Sequence, residues 1–136
     1  MQGSPQTMQQ APSYLDVVAE VSAYLRDRVV ACVAAGIEVN RLLVDPGFGF
    51  GKTLEHNLAL LRELPSARVE DCPILVGLSR KTMIGRMTGQ PVAGRLSGSL
   101  AVLLLALQNG ADLVRVHDVA ESADVLKVWH AFSACE

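Results

Sequence analysis

No excess of basic charge marks this chain: 12 Lys and Arg stand against 14 Asp and Glu, a formal net charge of -2. A nucleic-acid-binding surface normally shows clustered cations and a basic pI, so no nucleic-acid partner is expected and any phosphate must be met by local groups. The 3 cysteines, Cys32, Cys72 and Cys135, lie far apart with no C-x-x-C pair. They suggest neither a disulfide framework nor a zinc site and fit a reducing, cytoplasmic setting. No apolar run reaches the ~18 residues of a membrane span. The longest, Leu100 to Leu107, follows a Gly/Ser turn and reads as a buried helix, so no membrane partner is expected. Met1 to Gln10 lack the basic and apolar regions of an export signal. With 50% hydrophobic, 19% charged and 4% aromatic residues, the composition is that of a soluble α/β chain.

Strands alternate with helices. Val18, Val21, Leu25, Val29 and Val33 fall three or four apart, predicting a helix from Ser13, with Asp16 as its capping partner, to a stop at Gly36. Leu42-Leu43-Val44 reads as a buried strand ended by Asp45-Pro46-Gly47, since proline cannot continue the ladder. Thr53 opens a second helix with a Leu54, Leu58, Leu61, Leu64 stripe that stops before Pro65. Ile74-Leu75-Val76 is the next strand, followed by Ser79-Arg80-Lys81, a short helical stretch to Met87 and a Gly/Pro loop. Leu96, Leu100, Leu103, Leu104 and Leu107 predict a strongly apolar helix. Leu113-Val114-Arg115-Val116 is a third strand. Asp118 and Glu121 form a D-x-x-E capping signature for a last helix bearing Val125, Leu126, Trp129 and Phe132. This order implies parallel βαβ units with no linker and no internal repeat of the solenoid kind.

Length alone suits one domain. At roughly 31 residues per strand–helix unit, however, 136 residues supply a little over four of the eight units that close a barrel of roughly 250 residues. A complete barrel is excluded.

All three strands end in polar residues: Asp45, then Ser79-Arg80-Lys81, then Arg115 and His117. Ligand sites in parallel α/β folds lie at the carboxyl ends of strands, so these residues should converge. Singly, Asp45 could merely cap a turn, Lys81 could be a solvated helix start and His117 a packed residue. Arg115, inside an apolar strand, needs a carboxylate, a phosphate or a solvent-filled mouth. Gly47-Phe48-Gly49-Phe50-Gly51-Lys52-Thr53 invites comparison with a P-loop. Pro46 stands where the first glycine is required, and G-x-G-x-x-G fails as well. The glycines instead allow close backbone approach to a flat ligand, with Phe50 as a stacking face. His56 and His130 fall on helices without metal-ligand spacing and read as surface residues. Arg95-Leu96-Ser97-Gly98-Ser99 reads as tight helix packing in preference to an anion site.

Three blocks together, Asp45 to Lys52, Gly77 to Lys81 and Arg115 to Asp118, resemble dihydropteroate synthase of bacterial folate synthesis. Arg95 to Ser99 and Met1-Gln2-Gly3 are also similar to that family. The resemblance implies a transferase, the target class of the sulfonamides, that condenses 6-hydroxymethyl-7,8-dihydropterin pyrophosphate with para-aminobenzoate to 7,8-dihydropteroate and pyrophosphate. It implies an α/β fold in which residues 1–136 form the C-terminal half of a (β/α)8 TIM barrel, with three parallel strands and the barrel incomplete. The chain would begin after the fifth strand.

Carried over residue by residue, the resemblance implies that Asp45, Lys81 and Gly77 bind the pterin. Gly49, Phe50, Ser79, Arg80 and Lys81 would bind para-aminobenzoate. Arg115 and His117 would hold the pyrophosphate, and Lys81, Arg115 and His117 would be the catalytic residues. Mg2+ is implied for the full-length family, through an asparagine outside this sequence, so no metal ligand is assigned here. A half barrel exposes unpaired strand edges and an apolar inner face, so self-association as a homodimer is expected, and inactivity without the N-terminal half. The alternatives are a non-catalytic pterin-binding or assembly fragment, and another pterin-dependent barrel such as a folate-dependent methyl transferase.

Overall fold

Asp16 starts the first helix because its carboxylate meets two orphan donors. It accepts from the backbone N–H groups of Val18 and Ala19, both at 3.0 Å, while Glu20 reaches back to the Leu15 N–H at 2.8 Å. A charged acceptor at this end also favours the helix dipole. The cap is therefore Asp16 itself and not the Ser13–Asp16 box expected from sequence. A computed structural model describes residues 12–134; Met1-Gln2-Gly3 and Cys135 lie outside them.

Helix α1 (Val17–Ala34) buries Val17, Val21, Leu25 and Val29. Val33, expected on that stripe, is exposed. A 3-10 turn (Val39–Arg41) leads to Val44. Here the structure corrects the expected count of three strands: two are formed among the described residues, with one bridge beside them. Val44 makes a single parallel bridge to Ile74. Its N–H donates to Pro73 O at 2.9 Å and its carbonyl accepts from the Leu75 N–H at 2.8 Å. Pairing goes no further because the 3-10 turn precedes it and Pro46, lacking an N–H, follows.

Strands β1 (Leu75–Val76) and β2 (Leu113–Val114) pair in parallel, Leu75 with Leu113 and Val76 with Val114. Helix α2 (Leu54–Arg62) opens on a capping box. Thr53 Oγ1 accepts from the His56 N–H at 3.2 Å, and His56 Nδ1 accepts from the Thr53 N–H at 3.3 Å. His56 is accordingly half-buried and stands edge-on to Tyr14 with ring centroids 5.2 Å apart, not at the open surface the sequence suggested.

Between β1 and β2 run α3 (Thr82–Thr88) and α4 (Leu96–Gln108), and α5 (Val119–Ser133) follows β2. Helix α1 packs on α2, α2 on α3, α3 on α4 and α4 on α5. Leu60, Leu64, Cys72, Ile74 and Ile84 are fully buried between these helices and the strands. Each Leu or Ile contributes about 1.5–3 kcal/mol by leaving water. The result is an α/β fold whose polar segments, Asp45 onward, Gly77 to Lys81 and Arg115 to Asp118, all leave the carboxyl ends of parallel-paired segments.

Candidate functional site

The segment Gly47 to Gly51 turns sharply at the end of the Val44 bridge. Asp45 Oδ1 accepts from the Gly47 N–H at 2.8 Å, so the turn-capping role weighed from sequence is present. Phe48 is driven into the core, 1% exposed, while Phe50 stays exposed. Gly49 adopts φ +76, and a β-carbon there would lie 2.9 Å from Lys81 Cδ, so both conformation and space demand glycine. Lys81 crosses the bare backbone at that point. Its ammonium donates to Phe48 O and stands 4.1 Å from the Phe50 ring centroid, within cation–π range. Burial holds its amine below the usual lysine range, Asp45 opposes that fall and Arg115 adds to it.

Phe50 borders three recesses. One of about 570 Å³ is lined by Gly49, Phe50, Lys52, Asn57, Arg80 and Lys81 among others. A second, about 680 Å³, gathers Phe50, Gly77, Ser79, Arg80, Lys81, Arg115 and His117. Asp45 lies apart from both, in a third of about 250 Å³ with Tyr14, Pro46, Gly47 and Lys52. Eight of the nine residues singled out from sequence thus line the first two recesses, and Asp45 reaches them through its charge on Lys52 and Lys81.

Arg115 is exposed and, among the described residues, makes no ion pair. Of the three environments its sequence position demanded, the structure supplies the solvent-filled mouth. Its guanidinium lies across Gly77, where a β-carbon would come within 3.0 Å of Nη2. His117 Nδ1 is 3.0 Å from Ser79 Oγ, and the same hydroxyl accepts from the His117 N–H at 3.3 Å.

Arg80 is held on all sides. Its guanidinium pairs with Asp118, Nε donating at 3.0 Å. Its N–H donates to Ser99 Oγ at 2.9 Å and its carbonyl accepts from Arg95 Nη1 at 2.9 Å. These contacts maintain a φ of +58 that a non-glycine residue rarely adopts. Hydrogen bonding from Arg80 holds the Asp118 carboxyl below the ordinary range. Asp118 sits at the N-cap of α5 without any side-chain capping bond; its carboxylate is used across the mouth instead of along the helix, contrary to the D-x-x-E signature. Ser99 and Arg95 likewise brace the Arg80 backbone, so the block read as helix packing also supports the site.

Sequence reasoning passed over two buried polar residues of α2 and its approach. Lys52 is 6% exposed, its ammonium donating to Gly47 O at 2.9 Å and Phe50 O at 3.2 Å. Burial pulls its pKa down to about 8, against the opposing charge of Asp45 and with help from Lys81. Asn57 is 2% exposed. The signal available was an amide falling beside the leucine stripe of α2, directly after a glycine-rich loop. Among the described residues no three His, Cys, Asp or Glu side chains gather to hold a metal ion. No helix among them is long and apolar enough to cross a membrane.

A family model described as pterin binding enzyme matches residues 1–117. This chain belongs to the pterin binding enzyme family. It is similar to the dihydropteroate synthase of Neisseria meningitidis serogroup C, 53% identical over 133 residues that cover 96% of this chain and 47% of the relative. Among solved structures it resembles the dihydropteroate synthase of Stenotrophomonas maltophilia with active-site-bound imidazole. That likeness has a TM-score of 0.96 and 47% identity, covering 100% of this chain and 52% of the other. The Xanthomonas albilineans enzyme in complex with 7,8-dihydropteroate matches with TM-score 0.89 and 51% identity, over 92% of this chain and 48% of that one. The chain spans about half the length of the curated relatives it matches.

Proposed function

We propose that this chain carries the second half of a dihydropteroate synthase site, joining 6-hydroxymethyl-7,8-dihydropterin pyrophosphate to para-aminobenzoate. The observation that carries this reading is the meeting of Lys81, Phe50, Arg115 and His117 around the second recess, in a member of the pterin binding enzyme family. Residues 1–136 act as one partial (β/α)8 barrel domain, from the helix after the fifth strand to the eighth unit. Asp45, Lys81 and Gly77 receive the pterin, where a carboxylate accepts paired ring N–H bonds. Gly49, Phe50, Ser79, Arg80 and Lys81 line the aminobenzoate site. Arg80, tied to Asp118, serves there through its place in the wall. Arg115, without a carboxylate partner, and His117 hold the pyrophosphate.

In the reaction the bond from the pterin methylene carbon to pyrophosphate oxygen breaks with its electron pair on oxygen. The neutral arylamine supplies the pair for the new C–N bond, and its proton passes to water. No side-chain nucleophile is needed. Rate comes from orientation of two flat rings and from cations placed where negative charge develops on the leaving group. The reaction belongs to the cytoplasm, and self-association as a homodimer covers the apolar surface that α5 exposes.

Calorimetry on the wild type and Arg115→Ala tests the assignment. Loss of a charge-assisted contact predicts binding of the pterin pyrophosphate weakened on the order of 10- to 100-fold, with para-aminobenzoate affinity unchanged. Equal weakening of both ligands, or no binding of either by a folded wild type, contradicts it.

A further inference from the structure

The peptide group between Phe48 and Gly49 is gripped from both ends. Its carbonyl accepts from the Lys81 ammonium, and its N–H donates to Asn57 Oδ1 at 2.7 Å. Asn57 is itself fixed by α2, its Nδ2 donating to Thr53 O at 2.5 Å. A buried amide in a helix is otherwise a poor choice: it has lower helix propensity than leucine and must leave water. The apolar side chains around it show that leucine suits this stretch of α2.

From these contacts we propose that Asn57 is a positioning residue for Lys81, acting through the single Phe48–Gly49 peptide. The peptide precedes a glycine, which can change φ and ψ with little steric cost. When the hydrogen bond from the Gly49 N–H to Asn57 Oδ1 is lost, rotation of that peptide plane would carry Phe48 O away from the ammonium it receives. A hydrogen bond at one end of a peptide also polarises the other end, making Phe48 O a stronger acceptor for Lys81. Lys52 does not substitute for Asn57, because it holds the neighbouring carbonyls Gly47 O and Phe50 O and leaves this plane alone. Asn57 thereby sets where the Lys81 ammonium lies on the Phe50 ring, 4.1 Å from its centroid. The consequence for the aminobenzoate rests on the function proposed above; the positioning itself does not.

Proton NMR on the full chain reads this directly, since with Nζ 4.1 Å from the Phe50 centroid the Lys81 ε-methylene protons are expected to be displaced upfield. In Asn57→Leu they move to the position of a solvated lysine while the far-ultraviolet circular dichroism is kept. In Asn57→Asp, which retains an acceptor for Gly49, they stay displaced. An unmoved Lys81 signal in folded Asn57→Leu overturns the proposal. The wild type offers a test that needs no variant: the Gly49 amide must exchange with solvent far more slowly than that of exposed Val119 in the uncapped first turn of α5, and equal rates overturn the proposal. Titration with para-aminobenzoate separates the two levels. About tenfold weaker binding by Asn57→Leu supports both. A wild type that does not bind, yet keeps the Lys81 displacement and loses it in Asn57→Leu, counts against the proposed function and supports the role of Asn57.

Discussion

The strand-end mouth and the outer helix α5 invert the usual placement of side chains. At the mouth, Lys52, Asn57 and Ser99 are buried, and each is hydrogen-bonded to a neighbouring loop. On α5 only Ser122 is buried, while Val119, Val128 and Phe132 lie in the open. Buried polar groups that are fully paired fix one arrangement of the chain, because each lost partner leaves an orphan in a dry place. Exposed apolar groups fix nothing within the chain and mark a surface suited to association. Paired, buried polar groups are concentrated where the proposed ligands lie, while Val119, Val128 and Phe132 form apolar surface away from it.

The same truncation made in both regions should expose this difference most strongly. Phe48→Ala empties a fully buried position beneath the glycine loop and should cost about 3–5 kcal/mol. Phe132→Ala, at a residue 72% exposed, should stay within about 0.5 kcal/mol in the dissociated chain. Urea unfolding at low protein concentration measures both, and comparable losses would erase the distinction. A smaller effect sharpens it through pH. Burial lowers the pKa of the folded Lys52 amine to about 8, against 10.5 for the free side chain. Below pH 8 both states hold the proton, and the cost of burying the charge is present in full. Between about 8 and 10.5 the folded chain sheds a proton that the unfolded chain keeps, so stability rises with pH. Wild type should therefore gain on Lys52→Met across that window in paired unfolding curves. A constant separation would mean that Lys52 is not desolvated.

Much of the mouth was legible in the sequence because chemistry there is written in local blocks. Asp45, Ser79 to Lys81, and Arg115 with His117 each follow an apolar run, and carboxyl ends of parallel strands are where ligands sit. Partnership was less legible. Asp118 looked like a helix cap because D-x-x-E is a local pattern, whereas its carboxylate is drawn to Arg80, 38 positions away in the chain. Asn57 was hidden for the same reason: its meaning depends on a loop eight residues back whose shape no periodicity reports. The first expected strand, Leu42 to Val44, shrinks to a bridge at Val44, where hydrophobicity predicts burial correctly although Leu43 is exposed, because ladder pairing needs neighbours on both sides. Helix α5 shows the converse limit, since apolar periodicity finds a face without telling what covers it.

Product formation is the most direct test of the central claim, that this mouth provides half of a condensing site. The chain is mixed with the N-terminal half of a related dihydropteroate synthase, pterin pyrophosphate and para-aminobenzoate, and 7,8-dihydropteroate is measured. Product that requires both halves and falls with Lys81→Ala is the predicted result. No product from folded, associated halves would contradict it.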